Sequence, residues 1–346
     1  MLVLGIETSC DETSASLCEA DAADPWRVSI VSNVVASQID EHAAFGGVVP
    51  EIAARAHVEA IAPVVAEALQ RTDSPPALVA VTAGPGLAGS LIVGMSAAKA
   101  LAWAWNVPLV AVNHIEAHAY APVLEGSLPA HPFLALVVSG GHTLLAEVRG
   151  PDDMEIVGQT LDDALGEAYD KVAKFLGLPY PGGPVIDSMS VDANARAIAF
   201  PRAMMHSGDY NFSLSGLKTA VIRHVNKVKA EGGELPPVAD IVASFQAAAL
   251  EPIVKKTIAA ARDRGLSDVV AGGGVACNSS LRARLSRECD RAGIRLVLAS
   301  GILCTDNAAM VAALGAIRHA AGHGSGLDAD IHPNLRLGSP MPADHF

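Results

Sequence analysis

The sequence predicts a two-domain α/β protein in which one arrangement of strands and helices occurs twice. Three observations carry that expectation. Short β-branched runs alternate with longer segments of helical period, the order of these segments recurs in the second half, and a polar turn separates the first two strands of each half. A length of 346 residues agrees with two domains, each able to bury its own core. Hydrophobic residues form 51% of the chain and aromatics only 4%, which excludes a disordered chain and implies cores of Ala, Val, Leu and Ile.

In the first half, Leu2 to Glu7, Ser14 to Glu19 and Arg27 to Ala36 have the length and β-branched content of adjacent strands. A helix follows from Pro50 to Gln70, where Ile52, Val58, Ile61, Val65 and Leu69 recur at helical spacing behind a proline suited to a first turn. A strand at Leu78 to Thr82, a helix at Leu87 to Trp105 and a strand at Pro108 to Val112 complete the pattern βββαβαβα.

The second half repeats it. Phe133 to Val138, His142 to Arg149 and Glu155 to Gly158 read as strands, then Gly166 to Gly177 and Val238 to Arg262 as helices. A strand at Asp268 to Ala271, a helix at Asn278 to Ala292, a strand at Ile294 to Leu298 and a helix at Asp306 to His319 close the chain. The first domain is expected at residues 1–120, completed by the closing helix at about 306–322. The second is expected at 121–305 with a helical insertion at about 160–237, of which Pro179 to Pro237 has little strand character. Thr8-Ser9-Cys10-Asp11-Glu12-Thr13 and Ser139-Gly140-Gly141 are the matching turns. As a pair they suit gripping one phosphate-bearing ligand across a cleft, because glycines permit close approach and expose backbone N–H groups; singly, each reads equally well as an ordinary hairpin turn.

The balance of 24 Lys+Arg against 37 Asp+Glu gives a formal net charge of −13, a poor start for a protein that must hold nucleic acid alone. Five cysteines without a CxxC pair fit a reduced cytoplasm, and no signal peptide is readable at the N-terminus. The uncharged stretch Ser74 to Ala98 is long enough to tempt a membrane reading. Pro75-Pro76 and Gly84-Pro85-Gly86 divide it into a short strand and a helix start, so no membrane association is expected.

His114-Ile115-Glu116-Ala117-His118 follows the strand ending at Val112. Its histidines stand at i and i+4 on one helix face, about 5 to 6 Å apart at Cβ. That is metal-ligand spacing, though core or surface histidines fit equally until a third ligand is found. Cys304-Thr305-Asp306-Asn307 supplies a carboxylate at the start of the last helix, where Asp is also at home as an N-cap. Two His and one Asp make an open site suited to Fe(II) or Zn(II). The pattern is not HExxH: Ile115 stands where a zinc protease carries its general base, so a metallopeptidase loses its mechanism.

Gly272-Gly273-Gly274-Val275-Ala276-Cys277-Asn278 lies between a strand and a helix, the usual place for a loop that lets backbone approach a nucleotide; tight strand-to-helix packing is the alternative. Gly182-Gly183-Pro184 with Asp187, and Asp162-Asp163 with Asp170, put carboxylates on helix-forming segments, either solvated or accepting hydrogen bonds from sugar hydroxyls. Neither GxGxxG nor GxxxxGK[ST] occurs at a strand end, which disfavours Rossmann and P-loop readings.

Taken in order, Gly5-Ile6-Glu7-Thr8-Ser9-Cys10-Asp11-Glu12-Thr13, the His114/His118 pair, Ser139-Gly140-Gly141-His142-Thr143, Phe212-Ser213-Leu214-Ser215-Gly216-Leu217-Lys218-Thr219, Gly272-Gly273-Gly274-Val275-Ala276 and Cys304-Thr305-Asp306-Asn307 resemble one family. It is the bacterial branch of the tRNA N6-adenosine threonylcarbamoyltransferases, formerly called O-sialoglycoprotein endopeptidases. The resemblance runs from about Leu2 to Gly338, leaving the Glu19 to Trp26 connection and the tail after Gly338 as variable segments. It implies a duplicated actin/Hsp70/sugar-kinase-like (ribonuclease H-like) fold, two domains around a nucleotide cleft. The implied activity is transfer of threonylcarbamoyl from threonylcarbamoyladenylate to N6 of adenosine 37 in tRNAs reading codons that begin with A, with release of AMP. His114, His118 and Asp306 would hold one divalent metal, usually iron. Val137, Val138, Ser139, Gly140, Gly141, Asp170, Gly183, Asp187 and Asn278 would hold the adenylate.

Glu12, on the first hairpin, is the candidate for assisting proton removal from N6, the alternative being that Asp11 and Glu12 cap the turn. The densest basic stretches are Lys218 with Arg223, Lys227 and Lys229, then Lys255-Lys256, and Arg282 to Arg291. With so acidic a chain, partner subunits are expected to help carry the tRNA: in the bacterial family, an inactive paralogous subunit and a small P-loop ATPase. The apolar helix face from Ile52 to Val65 is the candidate surface for the paralogue. Two other classes remain open from the residues alone, a small-molecule kinase using ATP and Mg²⁺, for which the His pair is unnecessary, and a chaperone-like nucleotide-binding module.

Overall fold

The structure is a computed structural model that describes residues 1–151 and 153–339; from Pro340 on, the tail expected after Gly338 lies outside the described residues. The chain begins with β1 (Leu2–Glu7), β2 (Glu12–Ala20) and β3 (Val28–Ser37), paired antiparallel in sequence. After α1 (Ile39–Ala43) and α2 (Pro50–Ala68), β4 (Leu78–Gly84) joins β1 in parallel. Then α3 (Ala88–Trp105) leads to β5 (Leu109–Asn113), parallel to β4, and α4 (His114–Tyr120) follows without a loop.

The second sheet starts with β6 (Phe133–Val138), β7 (Thr143–Gly150) and β8 (Asp153–Gln159). Four helices intervene: α5 (Leu165–Phe175), α6 (Gly182–Met189), α7 (Ser215–Ala230) and α8 (Val238–Asp263). β9 (Asp268–Gly272), α9 (Ser279–Ala292) and β10 (Arg295–Leu298) complete it, and α10 (Gly301–Cys304) and α11 (Ala308–Ala320) are the last helices among the described residues. The sheets run β3-β2-β1-β4-β5 and β10-β9-β6-β7-β8, so in each half the third, second, first, fourth and fifth strands lie in that order. The duplication read from the sequence is therefore present strand for strand.

The chain divides into two compact units, one comprising Met1–His131, Val148–Glu155 and the segment from Ala299 on, the other Pro132–Glu147 and Ile156–Leu298. In the first unit, the central strands are buried on both faces, as continuous apolar runs such as Leu78–Gly84 require. Leu4, Ile6, Val79 and Val81 pack with Val64, Val65 and Ala68 of α2 and Met95 and Ala98 of α3. Burying about a dozen such side chains at about 1.5 to 3 kcal/mol for each large one is what holds the layers together. Helix α11 is buried from Ala308 through Arg318 and packs on β1, β2 and β4. Its backbone can approach because position 5 is glycine: a Cβ there would run into Ala308 and Ala312.

Several expectations are revised. Asp162 and Asp163 precede α5 rather than lying on it, because Ala164 is its N-cap and Leu165 its first residue. The cap of α11 is Asn307, whose side chain accepts from the Met310 N–H; Asp306 lies outside the helix and is left for other work. Helix α1 was missed, being too short to show a period. Of the α2 face expected to be free, Val64 and Val65 are buried in the unit's own core, whereas Val58 is 63% exposed. The tempting span at Ser74 to Ala98 is indeed a strand and a helix, and among the described residues no helix is long and apolar enough to cross a membrane.

Candidate functional site

In the first unit, a histidine pair on one helix converges with a carboxylate distant in sequence. Parallel strand β5 ends at Asn113, whose side chain accepts from the Ile115 and Glu116 N–H groups and so starts α4. That cap puts His114 and His118 on one face, with ring centroids 4.7 Å apart at 81°. Asp306, just before α11, brings Oδ1 to 3.1 Å from His118 Nε2 and 3.6 Å from His114 Nε2. One ligand atom from each of the three lies within 4.8 Å of the others. Both histidines are nearly fully buried while Asp306 keeps partial exposure. Two imidazoles and one carboxylate oxygen form a nitrogen-rich, three-donor set that leaves coordination positions open, and the residues present therefore fit a divalent transition metal.

Electrostatics follow from burial. Burial lowers the His118 imidazole, and the Asp306 hydrogen bond does not offset it. Burial also works against a charged His114, but Asp306 and Glu7 outweigh it and hold the ring up to about 9. Glu12, the first residue of β2, is pushed up to about 10 by burial and by the negative charges of Asp306 and Asp11. In that environment Glu12 keeps its proton; a divalent cation on the neighbouring set favours the ionised form instead.

The turn that carries Glu12 is fastened by a buried polar network. His57 of α2 bonds through Nε2 to the Cys10 carbonyl at 3.0 Å, so its Nδ1 accepts from the Thr13 hydroxyl at 2.7 Å. The Gln38 N–H donates to the Asp11 carbonyl at 3.0 Å. Sequence reading passed over His57 and Gln38, which carry no motif of their own. It also gave no role to Glu7, fully buried at the end of β1 and bonded to His114.

In the second unit, the residues assigned to an adenylate form a ring of contacts at the ends of β6 and β9. The Ser139 and Gly140 carbonyls accept from Gly166 and Glu167 N–H, each at 3.2 Å, seating the turn on the first turn of α5. Asp170 of α5 accepts from the Gly182 N–H at 2.7 Å. Asp187 of α6 accepts from the Ser279 N–H at 2.7 Å and from its hydroxyl at 3.1 Å. Asn278 caps α9 by accepting from Leu281 N–H, and its amide donates to Gln246 at 2.8 Å. Gly273, at φ 91°, closes the ring against the Val138 carbonyl, where no side chain fits. Of the glycines in the run, Gly273 is thus there for packing, while Gly274, like Gly140, Gly141 and Gly183, has nothing within 4 Å of a would-be Cβ. Those four positions leave backbone open to a ligand.

The carboxylate pair before α5 has a different task. Asp162 accepts from the Ser213 and Ser215 hydroxyls and the Leu214 and Ser215 N–H groups, capping α7, and these hydrogen bonds outweigh its partial burial to hold it down at about 2. Asp163 binds Lys171 and Lys218. The basic stretches are largely engaged: Lys218 with Asp163 at 2.8 Å, Lys255 with Glu251 at 2.8 Å, Arg287 and Arg291 with Glu288, and Lys256 buried against Asp209 and Ser207. Lys256, though it lies in a dense basic stretch of the sequence, is thus buried and paired rather than free on the surface.

Comparison with solved structures places the fold. The chain is similar to HypF from T. kodakarensis (TM-score 0.62, 13% identity, 92% of this chain and 48% of that chain). It is also similar to a ROK family glucokinase from Streptomyces griseus (TM-score 0.51, 13% identity, 93% and 100%). The actin-like, sugar-kinase architecture implied by the resemblance, with which the duplicated strand order agrees, is thus present. Among curated sequences it is 52% identical over 320 residues to a tRNA N6-adenosine threonylcarbamoyltransferase of Geotalea daltonii, covering 91% of each chain. It is 49% identical over 343 residues to the enzyme of that name from Bacillus subtilis, covering 98% of this chain and 96% of the relative. The model of that family matches residues 29–313, and with both lines of similarity spanning nearly the whole sequence, the chain belongs to the tRNA N6-adenosine threonylcarbamoyltransferase family.

Proposed function

We propose that this chain transfers the threonylcarbamoyl group of L-threonylcarbamoyladenylate to N6 of adenosine 37 in tRNAs reading codons that begin with A, releasing AMP. Membership of the family supports the reaction, and the observation that carries the site is the convergence of His114, His118 and Asp306 beside the turn bearing Glu12.

An adenine exocyclic amine is a weak nucleophile because its lone pair is delocalised into the ring, so the acyl group must arrive activated. A mixed carbamoyl–phosphate anhydride meets that need, and what remains for the protein is positioning and stabilisation of developing charge. In this reading the open backbone at Gly140 and Gly141, following Val137, Val138 and Ser139, whose own N–H donates to the His142 carbonyl, receives the phosphate. Asp170, Gly183, Asp187 and Asn278 hold the nucleoside. Glu12, once ionised, accepts the proton that N6 loses. An adenosine in a loop is exposed at lower cost than one in a duplex.

His114, His118 and Asp306 would hold one divalent ion, Fe(II) in this proposal and Zn(II) as the second reading, since imidazole and carboxylate suit both. When bound, that ion supplies a Lewis acid for the carbamoyl oxygen or an anchor for the threonine portion. Partners in the proposal are tRNA, an inactive paralogous subunit and a small P-loop ATPase, in the cytoplasm. The net charge of −13 and the engaged lysines support a shared tRNA surface, and exposed Val58 on α2 supports a partner there. The same reading keeps residues 1–120 with the closing helix as one domain and 121–305 as the other.

The test incubates the purified chain and its partners with threonine, bicarbonate, ATP and unmodified tRNA, followed by mass spectrometry of the nucleosides. Threonylcarbamoyladenosine is the expected product. Its absence, with phosphorylation of a small molecule instead, would favour the kinase.

A further inference from the structure

The carboxylate of Glu7 is the feature of the first unit that the proposed reaction leaves unused. It sits at the end of an otherwise apolar strand and is 0% exposed. A buried carboxylate without partners is costly, so its contacts state its purpose. The Ser9 N–H donates to Oε1 at 2.5 Å and the Thr82 hydroxyl to Oε2 at 2.6 Å. The third contact is His114 Nδ1, 2.9 Å from Oε2. A carboxylate accepts only, so Nδ1 of His114 carries the hydrogen and Nε2 is left as the donor atom. Nε2 is the nitrogen that faces Asp306, at 3.6 Å.

We propose that Glu7 is the positioning residue of the metal centre: it fixes His114 in the tautomer that presents Nε2 to the ion and strengthens that nitrogen as a donor. The inference rests on the metal reading above and deepens it. Three contacts make Glu7 rigid: β1 supplies its backbone, β4 supplies Thr82, and the turn after β1 supplies Ser9 N–H. The ring of His114 is thereby held from behind while its other nitrogen meets the ion, the outer-shell arrangement in which a carboxylate orients a ligating imidazole. Charge agrees. With a divalent ion in place of the proton that they otherwise hold on His114, Glu7 and Asp306 bring two negative charges to two neutral rings. His118 differs: its Nδ1 is buried without a hydrogen-bond partner, so among the described residues only one of the two rings is held in this way.

The test measures Co²⁺ and Zn²⁺ affinity of the full-length chain by competition with a chromophoric chelator, together with the Co²⁺ absorption spectrum, for wild type, Glu7→Gln, Thr82→Val and His114→Ala. Circular dichroism establishes that each variant is folded. Glu7→Gln should weaken metal binding about 10- to 100-fold and shift the cobalt bands, the usual scale for an outer-shell partner. Thr82→Val, which leaves the carboxylate in place but removes one of its tethers, should give a smaller loss in the same direction. A folded Glu7→Gln with wild-type affinity and spectrum would overturn the positioning role. If Glu7→Gln does not fold, Thr82→Val decides: unchanged affinity overturns the proposal and a several-fold loss supports it. His114→Ala separates the two layers, because loss of metal there with none in Glu7→Gln overturns Glu7 alone, whereas wild-type metal binding in His114→Ala overturns the centre itself.

Discussion

Replacing Gln246 with leucine probes how the second unit holds its ligand without touching any residue assigned to contact it. Gln246 is 4% exposed on α8, and its carbonyl oxygen accepts from the Asn278 amide at 2.8 Å and the Tyr169 hydroxyl at 3.2 Å. Leucine keeps the volume and removes both acceptors. The Tyr169 hydroxyl is fully buried and Asn278 nearly so, and each stranded donor costs about 1 to 3 kcal/mol. Against this, burying an apolar side chain returns about 1 to 2 kcal/mol. The net expectation is a loss of up to about 5 kcal/mol, centred on about 2 to 3, in urea unfolding of the second unit. Asn278, freed to turn, should bind AMP about tenfold more weakly by calorimetry, equivalent to about 1.4 kcal/mol. Tyr169→Phe is the control: it removes one bond, leaves Gln246 tied to Asn278, and should cost about 1 kcal/mol of stability with AMP affinity unchanged. Wild-type AMP affinity in a folded Gln246→Leu would refute the reasoning, since Asn278 would then need no tether or have no contact with the nucleotide.

Other outcomes follow from the same structure. His118→Ala should bring bound metal, measured by inductively coupled plasma mass spectrometry, from one ion per chain to none; retention of a full equivalent would remove His118 from the ligand set. Burial lowers the His57 imidazole below its ordinary value of 6.5, so the unfolded chain takes up that proton first and the unfolded state gains as pH falls. The stabilisation is complete above about pH 6.5 and is lost below it, toward the folded value; His57→Gln should flatten the fall in urea midpoint between pH 7 and 5, and an unchanged slope would count against the network. Gly273→Ala forces a side chain into a backbone at φ 91° and against the Val138 carbonyl, and should cost at least about 1 to 3 kcal/mol, read as a lower melting temperature. Asp162→Ala removes the remote cap of α7 and should cost about 1 to 2 kcal/mol, with faster hydrogen exchange confined to the first turn of that helix.

Most of the fold was legible because its strands obey simple rules. Central strands such as Leu78–Gly84 and Phe133–Val138 are buried on both faces and so appear as uninterrupted apolar runs, and Gly, Pro and Asn mark their ends. The metal set was legible in its local part: an i, i+4 pair on a helix states its own geometry, whereas Asp306 lies 188 residues from His118 and entered through its motif. What sequence could not give were contacts whose partners are distant and whose residues are individually ordinary. Glu7 reads as the last residue of an apolar strand, yet its bonds run to Thr82 and His114. His57 reads as one more residue of an amphipathic helix, yet it holds the turn of Glu12. Asp162 reads as a solvated helix residue, yet it caps a helix that starts 53 residues onward. In each case the signal is a tertiary hydrogen bond, for which no periodicity or spacing exists in the chain.

The proposed reaction requires that acyl transfer depend on an ion held by His114, His118 and Asp306. The direct measurement is a single-turnover assay with preformed threonylcarbamoyladenylate, unmodified tRNA and the protein with its partner subunits, stripped of metal and then reloaded with Fe²⁺ or Zn²⁺. Modified adenosine should form only after reloading, and never with His114→Ala. Equal product from protein shown to be metal-free would contradict it.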